Sequence, residues 1–262
     1  MYPNDLFLGL DLYDIMIALG FFLALVNFRF WADRRHFAAG LQNLVIVCAL
    51  VGIVGGYCAA VLMQAVYNWL DSGVFEIVNS TGATFYGGLV GGALLFLVAY
   101  FLGGRFVLRN GDATRHFFSL SEIAAASIAL AHGFGRLGCL FAGCCHGKAT
   151  DAWYGIYHVH LDAKVVPVQL FEAVFLFALA AFLTYRLYRG MRGGLGLYLI
   201  LYAVWRFLVE YLRADERGQS PIPFLSPSQL TALLLVAVGV GFWVLEYRFA
   251  MKRGANGGDT DA

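Results

Sequence analysis

The stretch GRLGCLFAGCCHGKATD, Gly135 to Asp151, gathers an arginine, a histidine, a lysine and three thiols directly behind a long apolar run. Each type has a chemistry. A guanidinium fork suits phosphate, a thiolate is a nucleophile, and an imidazole exchanges protons near neutrality. If the preceding run stays helical to its end, His132 and Arg136 lie four apart on one face and can address one ligand. Glycines 133, 135, 138, 143 and 147 are expected to break that helix and free backbone N–H groups, as an anion site requires.

Other polar residues fall inside apolar runs, where a central charge costs roughly 2.5 to 3.5 kcal/mol on insertion scales and persists mainly when paired or functional. Arg206 and Glu210 are four apart on one helical face, with Arg213 continuing the row a turn beyond. An ion pair locking helices and a site for an anionic lipid both fit them. Gln169 and Glu172 follow Pro167 three apart and can both face a bundle interior. Glu122 is expected to make a structural hydrogen bond to another helix.

The elements that must position these groups are membrane spans. The chain has 262 residues, is 60% hydrophobic and only 13% charged, and several runs reach the ~20 residues that a ~30 Å hydrocarbon core demands. Seven spans are predicted: Leu12 to Phe28, Leu41 to Tyr67, Phe85 to Leu102, Phe117 to Phe134, Val168 to Leu187, Leu195 to Leu212 and Gln229 to Tyr247. The expected fold is therefore an all-α integral membrane bundle. Acidic Asp5, Asp11 and Asp14 at the entry of the first span, with no basic stretch before it, predict a retained helix rather than a cleaved signal.

Basic residues recur in alternate connections: Arg29, Arg34 and Arg35; Arg105, Arg109 and Arg115; Arg186, Arg189 and Arg192; Arg248, Lys252 and Arg253. By the positive-inside rule these are cytoplasmic, which puts the amino end outside and the carboxyl end inside. Arg136, Lys148, Lys164, Arg206, Arg213 and Arg217 then fall at the outer face, against the bias. That placement invites a binding role. Residues 1–252 are expected to form one membrane domain and 253–262 a disordered cytoplasmic tail. The net charge of +1 argues against a nucleic-acid partner.

Gly52 and Gly56, and Gly87 and Gly88 with Gly91 and Gly92, are spaced by four and predict close helix packing. Gly87 and Gly88 follow Tyr86 at the start of a span, where bare backbone could also admit a headgroup. Ser226, Pro227 and Gln229 predict a capping box with proline in the first turn. Cys48 and Cys58 read as small buried apolar residues. Cys139, Cys144 and Cys145 read first as structural thiols or as a disulfide between Cys139 and one of the adjacent pair, second as a nucleophile, and third as metal ligands, since the spacing matches no standard zinc pattern. His158 and His160 are expected to be solvated in an outer loop, and His36 and His116 to serve the inner interface.

Taken in order, several motifs resemble the prolipoprotein diacylglyceryl transferase family across nearly the whole chain. They are Leu12-Tyr13-Asp14-Ile15-Met16, Phe85-Tyr86-Gly87-Gly88-Leu89, Gly135-Arg136-Leu137-Gly138, Pro167-Val168-Gln169-Leu170-Phe171-Glu172, Arg206-Phe207-Leu208-Val209-Glu210 and Leu225-Ser226-Pro227-Ser228-Gln229. The resemblance implies a multi-pass enzyme of the bacterial plasma membrane. It would move diacylglyceryl from phosphatidylglycerol to the lipobox cysteine thiol of a prolipoprotein signal peptide, with no required cofactor or metal. By the same resemblance Arg136 and Arg206 contact phosphate, Glu210 orients Arg206, and Tyr13 and Gly147 shape the site.

The chain also departs from the family pattern. Tyr86 stands where the family usually carries a histidine proposed as the base, Cys139 and Ala142 where it has asparagines, Cys144 where it has a glutamate, and Tyr57 where it has an arginine. A phenol, with an unperturbed pKa near 10, is a poor base at neutral pH. The residues and the resemblance together imply that Arg136, Arg206, Glu210, His132 and His146 take part in the chemistry. Tyr13, Tyr86, Gly87, Gly88, Cys139, Cys144, Gly147, Gln169 and Glu172 are placed in substrate binding. Transfer of a different lipid group, and a non-catalytic lipid-binding or thiol-redox protein on the same scaffold, are the alternatives.

Overall fold

The computed structural model describes residues 9–73, 75, 77, 84–109, 111–214, 222 and 224–255. Seven helices in it are long and apolar enough to cross a membrane, in the order the apolar runs predict. They are α1 (Leu12–Arg34), α2 (Ala39–Ser72), α3 (Phe85–Gly103), α4 (Asp112–Ala142), α5 (Val168–Tyr188), α6 (Gly194–Val209) and α7 (Pro227–Ala255). Residues 256–262 of the expected tail lie outside the described residues.

Two compact units divide the chain: residues 32–117, and residues 1–31 with 118–262. In the first, α2 and α3 pack backbone to backbone. A Cβ on Gly56 would lie 3.0 Å from the Gly88 carbonyl, and one on Gly92 would lie 2.8 Å from the Gly52 carbonyl. The four-residue glycine spacing thus does what it predicts, bringing backbones together where dispersion between helices replaces the hydrophobic effect. Past Gly103 the helix widens into one π turn, Gly104–Leu108, closed by Arg109 in the left-handed region (φ 59°). Buried Tyr100 anchors this end, donating its hydroxyl to the Ala113 carbonyl at 2.7 Å.

In the other unit, α4 is the long central element. Glycines 133, 135 and 138 do not break it as expected; the helix continues through them to Ala142 and reverses only at Gly143 (φ 76°). The reason is packing. Gly133 faces the Phe177 ring of α5, and Gly138 faces Tyr13 of α1, so missing side chains are filled by neighbours' aromatics. Gly196 of α6 and Gly239 of α7 meet in the same manner, each lying within about 3 Å of the other's carbonyl if given a Cβ.

Glu122 makes the interhelical bond expected of it. Its two oxygens accept from the N–H groups of Gly193 (2.6 Å) and Gly194 (2.7 Å), capping the start of α6, and Glu246 of α7 adds a second acceptor to Gly193 at 3.2 Å. The first turn of α7 is the expected capping box: Ser226 Oγ accepts from the Gln229 N–H (3.2 Å) while Gln229 Oε1 accepts from the Ser226 N–H (3.0 Å).

The connection from α4 to α5 is not helical. It carries a short antiparallel hairpin, β1 (Ile156–His158) and β2 (Ala163–Val165), turned through Asp162 in the left-handed region (φ 49°). Single bridges join Ala149 to Val165 and Gly147 to Arg213, so this connection is stitched to the segment after α6. Beneath it Val166, Val168 and Val209 form an apolar cluster with Phe171 and Trp205.

Candidate active site

Where α4, α5 and α6 face one another, Glu172 is the hub. Its side chain is fully buried; Oε1 lies 3.2 Å from Arg136 Nη2 and Oε2 lies 3.6 Å from Arg213 Nη1. Tyr202 closes the ring, accepting from Arg136 Nη2 (3.3 Å) and donating to Glu172 Oε1 (3.4 Å). Three facts of sequence produce this: Glu172 stands one turn into α5, Arg136 lies in the last two turns of α4, and Arg213 follows the short turn Glu210–Leu212 after α6. The arrangement leaves the Arg136 Nε buried without a hydrogen-bond partner among the described residues. A buried guanidinium N–H in that state costs free energy that an incoming acceptor recovers.

Arg206 and Glu210 form the expected pair at 2.7 Å, both nearly buried. Residues before and at the start of α7 hold it: Arg206 Nη2 donates to Ser228 Oγ (2.9 Å), and Ser226 Oγ donates to Glu210 Oε1 (2.7 Å). The motif before the last helix therefore does more than cap it. The expected row from Arg206 through Arg213 is not formed. The helix tightens into a 3₁₀ turn at Glu210–Leu212 and Arg213 is extended (φ −83°, ψ 153°), which sends its guanidinium to Glu172 instead.

Gly147 shows why only glycine fits its position. Its N–H donates to the Val166 carbonyl (3.0 Å), and a Cβ there would lie 2.7 Å from Val166 Cβ and 2.8 Å from the Leu212 carbonyl. With Lys148 N–H donating to the Leu212 carbonyl at 2.9 Å, this close approach brings the loop after α4 against the end of α6. The preceding turn is pinned from both sides. Gln169 Nε2 donates to the Cys144 carbonyl (2.6 Å) and His158 Nε2 to the Gly143 carbonyl (2.7 Å). His158 is thus not the solvated loop residue expected; it is 4% exposed, because β1 turns it inward under that loop.

Two histidines differ in what they leave available. His146 Nδ1 donates to the Gly147 carbonyl at 3.0 Å, so its lone pair resides on Nε2. His132 Nδ1 is 3.0 Å from the Tyr198 hydroxyl, and its ring packs edge-on to Tyr202 at 4.6 Å. Tyr202 is also within electrostatic reach of Arg136, Glu172 and Arg206, which ties the two charged groups into one region.

The sulfur atoms of Cys139, Cys144 and Cys145 all lie within 4.8 Å of one another. Cys139 is in the last turn of α4, Gly143 reverses the chain, and Cys145 in the left-handed region (φ 61°) turns its thiol back. Hydrogen bonds from Cys139 and Cys144, with the Arg213 guanidinium beside it, hold the Cys145 thiol below the usual cysteine range; Cys144, hydrogen-bonded to the other two thiols, is pushed up. Cys48 is buried as expected, whereas Cys58 is exposed on α2.

Of the residues singled out from sequence, Tyr13, His132, Arg136, Cys139, Cys144, His146, Gly147, Gln169, Glu172, Arg206 and Glu210 share one unit. Tyr86, Gly87 and Gly88 belong to the other. There Tyr86 is half-exposed, and Gly87 packs so closely on α2 that a Cβ would lie 2.7 Å from Met63 Cβ. Sequence reading passed over Tyr198 and Tyr202, named Ser228 only as part of a motif, and gave Arg213 no place among the site residues. The available signals were Arg213's place against the positive-inside bias and the i, i+4 spacing of Tyr198, Tyr202 and Arg206 on α6.

The chain is 32% identical over 245 residues to the phosphatidylglycerol–prolipoprotein diacylglyceryl transferase of Clostridium tetani, covering 87% of this chain and 90% of that one. It is 30% identical to transferase 2 of that name from Clostridium perfringens (87% and 88% covered), and 29% identical to that of Dehalococcoides mccartyi (90% and 89% covered). Residues 5–245 match the family described as prolipoprotein diacylglyceryl transferase, and the chain belongs to that family.

Proposed function

We propose that this protein transfers diacylglyceryl from phosphatidylglycerol to the lipobox cysteine thiol of a prolipoprotein, in the plasma membrane of a bacterium. The observation that carries the reading is the buried Arg136 Nε, without a hydrogen-bond partner among the described residues, beside a cluster in which Arg136 and Arg213 meet Glu172 and Arg206 meets Glu210. Such a site calls for an anion, and a lipid phosphodiester supplies both charge and acceptors. The relatives named for this reaction support the same substrates.

In the reaction, the acceptor thiol loses its proton and its sulfur attacks the glycerol carbon bonded to the phosphate oxygen. As the C–S bond forms the C–O bond breaks, and glycerol phosphate leaves with the electron pair. Arg136 and Arg206 stabilise the charge that develops on the leaving oxygen. Glu172 and Glu210 hold the two guanidiniums in place, a positioning role. His146, whose Nδ1 donates to the Gly147 carbonyl, carries its lone pair on Nε2 and can accept a proton there.

The Arg-bearing connections after α1, α3 and α5 alternate with those after α4 and α6, which carry Gly147, Arg213 and Ser226, and this supports an outward-facing amino end and a site toward the outer leaflet. The test is direct: purified protein in phosphatidylglycerol vesicles is given a lipobox peptide, and the peptide mass is read. A diacylglyceryl-sized gain, lost with Arg136→Ala and with a peptide carrying serine for cysteine, supports the reading. No gain, under conditions where the Clostridium tetani relative modifies the peptide, sinks it in favour of another lipid substrate or a non-catalytic scaffold.

A further inference from the structure

The family's proposed histidine base is absent at Tyr86, and three thiols occupy a turn beside Arg136 and Arg213. These two departures have one chemical explanation. Three sulfurs bound tetrahedrally to zinc at ~2.3 Å stand about 3.8 Å apart. The sulfurs of Cys139, Cys144 and Cys145, all within 4.8 Å of one another, need to close by about 1 Å or less to reach that arrangement. A disulfide would use two of them and leave the third without a role. Cys144 Sγ already reaches back to the Cys139 carbonyl at 3.7 Å, so the turn is folded onto the helix end before any ligand arrives.

The backbone supporting the thiols is held like a metal site's outer shell. Gln169 fixes the Cys144 carbonyl and His158 fixes that of Gly143. Arg136 is within electrostatic reach of Cys139, and Arg213 hydrogen-bonds Cys145, so the one excess negative charge of three thiolates on a divalent ion lies beside two guanidiniums that share a single carboxylate, Glu172. Tyr13 is within electrostatic reach of all three thiols.

We infer that Cys139, Cys144 and Cys145 form a three-thiolate site for a zinc-class divalent cation, whose open fourth position takes the acceptor cysteine as a thiolate. The inference rests on the transferase reading above and supplies the proton-removing device that Tyr86 does not. A coordinated thiol is deprotonated outright, its proton passing to water, and three protein ligands with an open position are the mark of a catalytic rather than a structural zinc site. The bound sulfur then attacks the glycerol carbon next to the phosphate held by Arg136. The product, a neutral thioether, is a weaker ligand than the thiolate it replaces and leaves the ion.

The experiment uses full-length protein in detergent, metal-stripped with its thiols reduced, and Co²⁺ as a spectroscopic probe. The expected result is one Co²⁺ per chain with sulfur-to-cobalt charge transfer and strong tetrahedral visible bands, displaced by Zn²⁺. The bands should be retained in Cys58→Ser, weakened in Cys144→Ser and lost in C139S/C144S/C145S protein that remains monodisperse. Adding a lipobox peptide with its cysteine shifts the visible bands, and the serine peptide does not. Bands that persist in the triple variant, or no charge transfer with all three thiols titrating as reduced, overturn the site. Bands indifferent to the cysteine peptide overturn its role in activating the acceptor. Transfer activity without a cobalt signal defeats this inference alone, whereas a cobalt signal without transfer defeats the transferase reading.

Discussion

Glu172 Oε1 lies 3.2 Å from Arg136 Nη2 while its other oxygen faces Arg213 Nη1 at 3.6 Å, so one fully buried carboxylate on α5 aligns a guanidinium from α4 and another from the segment after α6. A charge in that position has no water to fall back on. Its compensation comes from these guanidiniums and from the Tyr202 hydroxyl, which also accepts from Arg136. The site's geometry and the stability of this end of the unit are therefore one problem.

Removing that carboxylate should show it. Glu172→Ala leaves two largely buried guanidiniums without it and should cost about 3–5 kcal/mol, read as a lower thermal unfolding midpoint in detergent. An unchanged midpoint would mean that the pair is not sustaining the fold.

Arg136→Lys keeps the charge but loses the planar fork. Peptide lipidation should fall by about a hundredfold, the usual scale for losing a donor to developing charge, with unfolding nearly unaffected. If lysine restores the full rate, charge alone suffices and the fork is irrelevant.

Gly147→Ala should destabilise by about 1–3 kcal/mol through overpacking, because the new methyl meets Val166 Cβ at 2.7 Å and the Leu212 carbonyl at 2.8 Å. Activity should fall along with stability, since the same contact positions Arg213 through the Gly147 to Arg213 bridge. Wild-type unfolding in this variant would contradict the close approach.

Ser226 serves two masters, accepting from the Gln229 N–H and donating to Glu210. Ser226→Ala should cost about 0.5–2 kcal/mol as a lost cap and also slow lipidation by loosening Glu210. Gln229→Ala should affect the cap alone. Equal activity losses in the two variants would refute the separate link to Glu210.

Glu122→Ala strips the acceptors from the Gly193 and Gly194 N–H groups at the start of α6. Each buried N–H left unmet costs about 1–3 kcal/mol, partly relieved at Gly193 by Glu246. The unfolding midpoint should drop more for this variant than for Glu246→Ala, and the opposite order would reassign the principal cap.

Local composition by itself determined the seven spans, the glycine packing of α2 on α3, the Arg206 to Glu210 pair and the cap of α7. Each depends on hydropathy or on residues at most a few positions apart, where helix periodicity alone dictates who meets whom. Tertiary structure alone decided that α4 runs through its glycines, that Arg213 leaves the Arg206 row for Glu172, that His158 is buried, and that three thiols converge. Those outcomes rest on contacts between distant segments: Phe177 and Tyr13 facing the glycines, Gly147 allowing the loop against Leu212, and the hairpin turning His158 beneath Gly143. A one-dimensional pattern contains the residues that make such contacts but not the distances at which packing brings them together.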